Sequence, residues 1–381
     1  MLFIMQLLNI FRFFYLLGAV NALFFSVLIF SKKNKILADK ILGAWLMILA
    51  AQLIIPFLYL TDLNLYYKYA GYEIIFFAFH PVLLYFYILS MIGRLPGVRN
   101  ILLSAIPFAV CEIAGLSFFL FPAEERFNIL KGKIEFPVAY YPFLVFMIAY
   151  FSYYVYNSYK SLQNYKISHL QIYSYRENVD LLWLRRLVIL FSSITIIVFP
   201  TGLVSYFYFH SIVFADYLFY LTLVIFIFLL GYWGYQQGVV FSFHSVLEMN
   251  NGKENNKTVT ISDETIKLFK QKAQEIKQIM IVSKPYLNPK LTIHDLAHEI
   301  EVQPHQLSKI INKEFHSNFF EFVNSYRVEE FKKKVGSGEF KNLTILGIAL
   351  ECGFNSKSSF NRIFKESTGI TPGDFLRHRQ T

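Results

Sequence analysis

Seven apolar stretches, each long enough to cross a membrane, fill most of the first 235 positions of this 381-residue chain. A helix of roughly 20 residues crosses about 30 Å of hydrocarbon, and a helix satisfies its own backbone hydrogen bonds there. The composition agrees, because 55% of the residues are apolar and only 16% are charged. The sequence therefore predicts a polytopic bundle of transmembrane helices. The predicted spans are 12–30, 41–60, 69–92, 100–122, 137–156, 187–208 and 214–235.

The net charge of +10 does not by itself identify a partner. Before Ser262 there are 18 Lys and Arg against 12 Asp and Glu, and after it 18 against 14, so both parts are mildly basic. The two cysteines, Cys111 and Cys352, stand far apart, one in an apolar run and one in the polar tail. They suggest neither a disulfide framework nor a CxxC site.

Basic residues in the loops predict the orientation of the bundle. The loops 31–40, 93–100 and 157–186 carry eleven Lys and Arg, whereas the loops 61–68, 123–136 and 209–216 carry four. Lys and Arg accumulate on the cytoplasmic side of short membrane loops. We therefore expect a bacterial cytoplasmic membrane protein with its N-terminus outside and its C-terminal part in the cytoplasm.

Three polar side chains, Glu73, His80 and Glu112, fall inside predicted spans, where they are costly. Counted from the outer ends of their spans, His80 and Glu112 lie at a similar depth, about 15 Å. A contact between them is therefore geometrically permitted. A structural pair that joins adjacent helices is the simpler interpretation; a ligand-binding or proton-sensing site and the absence of any contact are the alternatives.

A polar, Asn-rich segment without periodicity follows the last span and marks a boundary. It divides the chain into a membrane domain (1–235), a linker (236–262) and a C-terminal domain (263–381). If the whole linker were flexible, its reach would be on the order of 30 Å. That reach allows a small domain to approach DNA near the membrane.

The C-terminal domain contains the same two-helix pattern twice. In the first copy, Thr292 and Asp295 form a capping-box pattern, and Pro304 suits the first position of the second helix. That helix carries an apolar face of Leu307, Ile310 and Ile311. After a connecting helix, the turn "CGFNS" separates the helices of the second copy. Two short helices joined by a tight turn form a helix-turn-helix unit.

A characteristic run of residues begins in the second copy and continues beyond it. The run consists of Ala349, Gly353, Phe354, Ser356, Ser359, Phe360, Arg362, Phe364, Lys365, Gly369, Thr371, Pro372 and Phe375. It resembles the signature of the AraC/XylS family of transcription regulators, and the resemblance covers about 115 C-terminal residues. The resemblance implies seven helices, with two helix-turn-helix units bridged by a long helix and a recognition helix from each unit in the major groove. The expected fold class is therefore all-α, a seven-span bundle followed by an AraC-type double helix-turn-helix domain.

The first copy departs from this pattern at two positions. Glu301 stands where the family usually has a turn glycine, so the turn lacks the residue that adopts positive φ most easily. Gln303 stands where the family often has a capping serine. We therefore expect the first recognition helix to be held less firmly than the second.

Subtracting the apolar face of each recognition helix leaves the side chains that can face DNA. Arg and Asn pair bidentately with guanine and adenine edges, whereas Lys more often holds phosphate. The run Lys332 to Lys334 is better interpreted as a solvated helix end. The predicted DNA-binding residues are His305, Gln306, Ser308 and Lys309 in the first unit and Lys357, Ser358, Asn361 and Arg362 in the second.

These patterns favour a membrane-anchored one-component transcription regulator. Its spans detect a signal, the linker transmits the signal to the C-terminal domain, and that domain binds promoter DNA. The expected partners are double-stranded DNA and the lipid bilayer, with RNA polymerase if the protein activates transcription and a homodimer as a further candidate. A passive tether or scaffold, for example through loop 157–186, is the alternative. An intramembrane enzyme or transporter is a third reading, but the sequence lacks HExxH, GxSxG and P-loop motifs. We expect no catalysis, cofactor or metal.

Overall fold

A computed structural model describes most of the chain as helix. The described residues form two compact units, one of residues 1–163 and 181–246 and the other of residues 164–180 and 247–381. Every regular element among them is helical, apart from an isolated bridge between Tyr173 and Thr292. The all-α fold class is confirmed. The described ranges are 2–69, 71–72, 74–95, 97–130, 133–135, 138, 140–175, 181–209, 213–236, 263–337 and 343–380.

Helices form nearly all of the described part of the first unit, and the last turn of α6 continues as a short 3-10 helix, Phe118–Leu120. The third predicted span, 69–92, is the one that is divided among several helices. Gly71 has a φ of 92° at one of the breaks. The helices are α1 (Leu2–Phe30), α2 (Leu37–Thr61), α3 (Leu63–Tyr69), α4 (Ile74–Phe77), α5 (Phe79–Met91), α6 (Val98–Ser117), α7 (Ala123–Leu130), α8 (Tyr140–Ile172), α9 (Leu182–Phe209) and α10 (Val213–Gln236).

Five helices in the described part of the chain are long and apolar enough to cross a membrane. A sixth apolar helix, Ile75–Met91, is shorter. The predicted span 137–156 falls in α8, whose many tyrosines lower its mean hydropathy. The membrane character is supported, while the count of seven stays a prediction. The five candidates are Leu8–Phe30, Leu37–Thr61, Val98–Leu120, Leu182–Gly202 and Tyr217–Tyr235.

Small residues allow α10 to approach α1 and α2 closely. A Cβ atom on Gly231 would lie 2.3 Å from the ring of Phe25, and one on Gly234 would lie 2.2 Å from Leu42 Cδ2. Glycine at such crossings brings membrane helices together, because lipid provides no hydrophobic force between them. A larger residue at either position would require the side chain of Phe25 or Leu42 to shift.

The second unit is built around one long helix, α14, which buries Phe320, Val323, Val328 and Phe331. A short 3-10 helix, Pro285–Leu287, precedes the helix pair that the sequence predicts as the first helix-turn-helix. Helices α12 and α13 form this first pair, and α15 and α16 form the pair predicted as the second. The helices are α11 (Asp263–Val282), α12 (Ile293–Glu299), α13 (Pro304–Phe315), α14 (Phe319–Ser337), α15 (Ile345–Glu351), α16 (Lys357–Thr368) and α17 (Pro372–Gln380).

The two turns reach positive φ with different residues. Gly353, in the turn of the second helix pair, has a φ of 88°, and Glu301, in the turn of the first helix pair, has a φ of 57°. Glu301 therefore adopts the left-handed conformation despite its Cβ atom, a conformation that side chains other than glycine rarely adopt. The capping box is present, because Asp295 N donates to Thr292 Oγ1 at 3.3 Å and Thr292 N donates to Asp295 Oδ2 at 2.8 Å.

Candidate nucleic-acid interface

The first recognition helix, α13, separates an apolar face from a polar one. Leu307, Ile310 and Ile311 are buried. On the other side, the predicted readers His305, Gln306 and Lys309 are exposed and Ser308 is half-buried. The amphipathic pattern therefore places all four predicted side chains where a ligand can reach them.

The start of α13 is capped weakly. Gln303 provides no side-chain cap, and Gln306 Oε1 accepts from Gln303 N at a long 3.4 Å. In the second helix pair, Ser356 Oγ accepts from Ser359 N at 3.3 Å and caps α16. The departure at Gln303 thus has a local structural consequence, since a serine cap typically stabilises a helix by about 1 kcal/mol.

The second recognition helix, α16, buries Phe360, Ile363 and Phe364. Lys357, Ser358 and Asn361 are exposed on its other face, and Arg362 is half-buried. Phe360 and Phe364 pack on Phe331 of α14, with ring centroids 4.7 and 5.5 Å apart. The aromatic contacts fix this helix on the long central helix, so its polar face is held in one orientation.

A groove of about 1000 Å³ runs between α16 and the starts of α15 and α17. Three cationic side chains line it, Lys357, Arg362 and Lys365, together with Asn361, and its lining includes no acidic residue. Arg362 Nε is buried and has no hydrogen-bond partner among the described residues. The side chains of Lys357, Arg362 and Lys365 converge without an acidic neighbour in the lining, and they fit an anionic or guanine acceptor from outside the chain.

Two further residues continue the predicted faces. Lys365 lies four residues after Asn361 and lines the same groove. Asn312 is exposed and lies four residues after Ser308 on α13. The sequence contained this information, because residues four apart share a helix face. The predicted set of DNA-binding residues, however, did not include the next turn of either helix.

A buried arginine, Arg327, lies behind this interface in the middle of α14 and is 1% exposed. It was not singled out from the sequence, because arginine usually lies at the surface. Its guanidinium donates to neutral oxygens, namely Tyr286 O (2.7 Å), Ser174 O (2.9 Å), Ser174 Oγ (3.1 Å), Asn288 O (2.7 Å) and Asn324 Oδ1 (3.4 Å).

A charged network lies one turn further along α14. Lys284 Nζ donates to Glu330 Oε1 at 2.8 Å, and the hydroxyl of Tyr286 donates to Glu330 Oε2 at 3.1 Å. Burial opposes ionisation of Glu330, but these two hydrogen bonds and the charge of Lys284 hold its pKa below the ordinary value. Burial and the charge of Glu330 raise the pKa of Tyr286. This network fixes the 3-10 helix against the central helix.

Within the first unit, His80 pairs with Trp45 and Gln52 rather than with Glu112. Trp45 Nε1 donates to His80 Nδ1 at 3.1 Å, and His80 Nε2 lies 2.6 Å from Gln52 Oε1. Because the indole can only donate, Nδ1 must be the acceptor and Nε2 the protonated nitrogen. Glu112 Oε1 is buried without a hydrogen-bond partner among the described residues, and Glu73 lies outside them.

The described residues contain no cluster of three or more His, Cys, Asp or Glu that could hold a metal ion. Cys111 and Cys352 are free thiols, and both are buried. Burial raises the pKa of Cys352 to about 12. A buried thiol with a raised pKa is a poor nucleophile, so Cys352 is a core residue.

Comparisons with known proteins bear on the C-terminal part of the chain. Residues 296–378 match the family model of a helix-turn-helix domain. Over 91 residues the chain is 30% identical to the uncharacterized HTH-type transcriptional regulator YtdP of Bacillus subtilis. The aligned residues make up 24% of this chain and 11% of YtdP. No solved structure matches the chain. Residues 296–378 therefore are an AraC-type helix-turn-helix domain, and they support a role in DNA-binding transcription regulation.

Proposed function

We propose that this protein is a membrane-anchored one-component transcription regulator. It binds promoter DNA sequence-specifically through both recognition helices and does so in response to a signal received by its membrane helices. The observation that carries the proposal is the groove beside α16, where Lys357, Arg362 and Lys365 converge without an acidic neighbour in the lining. The same chain contains five candidate membrane spans, so a domain that binds DNA at this groove would be anchored to the bilayer.

Chain topology supports a cytoplasmic DNA-binding domain. Residues 164–180 lie in the basic loop that the sequence assigns to the inner side, and they form one compact unit with the C-terminal part of the chain. Both segments must therefore lie on the same side of the membrane. The positive-inside rule assigns that side to the cytoplasm, where the chromosome is.

Arg362→Ala in the full-length protein is expected to weaken binding to its genomic sites by about 1–3 kcal/mol and to relax sequence preference at one position, because a bidentate base contact is lost. Lys333→Ala is the matched control, since it removes the same charge from an exposed position on α14. Genome-wide mapping of bound sites, followed by titration of the recovered duplexes, measures both. Equal affinity of the two variants for these duplexes would refute the placement of Arg362.

Glu112→Leu and His80→Leu test whether the membrane helices sense a signal. We expect either change to alter activity of a target promoter by about fivefold or more at constant protein level, because allosteric couplings usually lie in that range. Glu124→Leu is the control, since Glu124 is exposed and lies outside the predicted spans. Unchanged regulation in both variants would remove the sensing proposal for these residues and favour a tether.

A further inference from the structure

The C-terminal end of helix α8, which contains most of the predicted span 137–156, belongs to the second unit. Helix α8 begins in the first unit, but its residues from 164 onward are part of the second. We call residues 164–175 the strap. It contacts residues of both helix-turn-helix pairs in the second unit.

The strap contacts the first helix-turn-helix at the start of α12. Tyr173 forms an antiparallel bridge with Thr292, the residue that caps this helix. Ser174 N and Ser174 Oγ both donate to Leu291 O, at 3.3 and 2.7 Å. Ser174 is fully buried and Tyr173 is 7% exposed. The end of the strap is therefore an internal part of the unit and not a loop that touches its surface.

The strap reaches the second helix-turn-helix by two routes. Leu170 packs against the core cluster that includes Phe354, Phe360 and Phe364. Ser174 O accepts from Asn324 Nδ2 at 3.0 Å and from Arg327 Nη1 at 2.9 Å. A Cβ atom on Gly353, in the turn of this pair, would lie 3.0 Å from Arg327 Nε. Arg327 thus lies between the strap and that turn.

Docking of the strap leaves both recognition faces free. The partners described above lie at the start of α12, on the central helix and in the apolar core, and they are not the predicted DNA-binding residues. The strap can therefore remain docked while the domain binds DNA. Because it touches both helix pairs, it can fix how the two recognition helices are placed relative to each other.

We propose that the strap is the coupling element between the membrane helices and DNA, and that the docked strap is the state with high DNA affinity. This inference rests on the proposed function. It adds a second route for the signal, through loop 157–186, beside the linker 236–262, whose residues 237–262 lie outside the described residues. A movement of α8 changes the docking of Leu170 and Ser174, and with it the relation between the two helix pairs.

The test uses the purified full-length protein and the duplex most enriched among the genomic sites of the wild-type chain. Leu170→Asp places a charge against the apolar core and is expected to weaken binding about tenfold, within the usual range of allosteric coupling. Adding Tyr173→Cys and Thr292→Cys to this variant allows a disulfide to restore the docked strap. Paired residues of an antiparallel bridge have Cα atoms about 4.5–5.5 Å apart, which suits a disulfide.

The oxidised triple variant is expected to regain the wild-type affinity, and reduction is expected to lower it again about tenfold. Leu170→Asp with Thr292→Cys alone is the matched control, since it loses the same cap but cannot form the bond. The native Cys111 and Cys352 are buried and will not compete. Equal affinity of the oxidised and reduced triple variant would overturn the proposal.

Pulse proteolysis of the same samples separates coupling from simple stabilisation. If affinity falls only in proportion to the unfolded fraction, the strap merely stabilises the unit and the inference is wrong. If the wild-type protein binds no genomic duplex, the proposed function itself fails. If the wild-type protein binds the duplex but the strap variants bind it equally well, the coupling is refuted and the proposed function stands.

Discussion

Arg327→Met is expected to lower the free energy of unfolding of the second unit by about 3–5 kcal/mol. Methionine cannot donate a hydrogen bond, so the buried carbonyl oxygen of Tyr286 loses its donor, and Ser174 O keeps only its bond from Asn324 Nδ2. Each buried acceptor left without a donor costs about 1–3 kcal/mol. Urea-dependent pulse proteolysis of the full-length protein, with a C-terminal tag as the readout, measures this loss.

Arg377→Met is the matched control for that experiment. The side chain of Arg377 is 79% exposed in its ion pair with Asp374, and such surface pairs contribute about 0–1 kcal/mol. Arg327→Lys is a second variant, because a lysine keeps the charge but cannot bridge several carbonyl oxygens with one planar group. Arg327→Met and Arg377→Met curves with the same midpoint would contradict the supporting role given to Arg327.

Gly353→Ala is expected to destabilise the second unit by about 3 kcal/mol, from two separable causes. The positive φ of 88° disfavours any residue with a Cβ atom. In addition, that Cβ would lie 2.3 Å from Tyr286 O and 3.0 Å from Leu287 O, both of which are main-chain atoms. A backbone carbonyl cannot turn aside as a flexible side chain can, so the turn or the 3-10 helix must shift.

Gly369→Ala isolates the first cause. Gly369 has a φ of 79°, but a Cβ atom there would meet nothing within 4 Å. We expect this variant to lose only the conformational part, about 1 kcal/mol. The same urea titration compares the two glycines. If both variants lose the same amount, the close approach of the 3-10 helix to the turn does not contribute.

Local patterns predicted much of the C-terminal domain. The spacing of Leu307, Ile310 and Ile311 identified the buried face of α13, and all three are buried. The capping box of Thr292 and Asp295 is present. These features depend on residues three or four positions apart, where helix geometry fixes the outcome. Glu301 also shows the limit of a local rule, because the surrounding fold holds it at positive φ without glycine.

Features that depend on distant partners could not be predicted in the same way. Depth alone permits a contact between His80 and Glu112, but depth does not determine which helix faces which, and the partners of His80 are Trp45 and Gln52. The docking of Ser174 on Arg327 joins residues 153 positions apart. A serine in a polar loop and an arginine in a helix carry no local sign of such a contact.

The length of α8 has a mechanical consequence. Its last sixteen residues, Asn157–Ile172, lie beyond the predicted span 137–156 and extend for about 24 Å as helix. A stiff rod of that length amplifies rotation: a tilt of about 10° within the bilayer displaces its far end by about 4 Å, more than the reach of a hydrogen bond. In the proposed coupling, with the second unit held on DNA, a small reorientation of α8 among lipids would therefore strain the hydrogen bond from Arg327 Nη1 to Ser174 O.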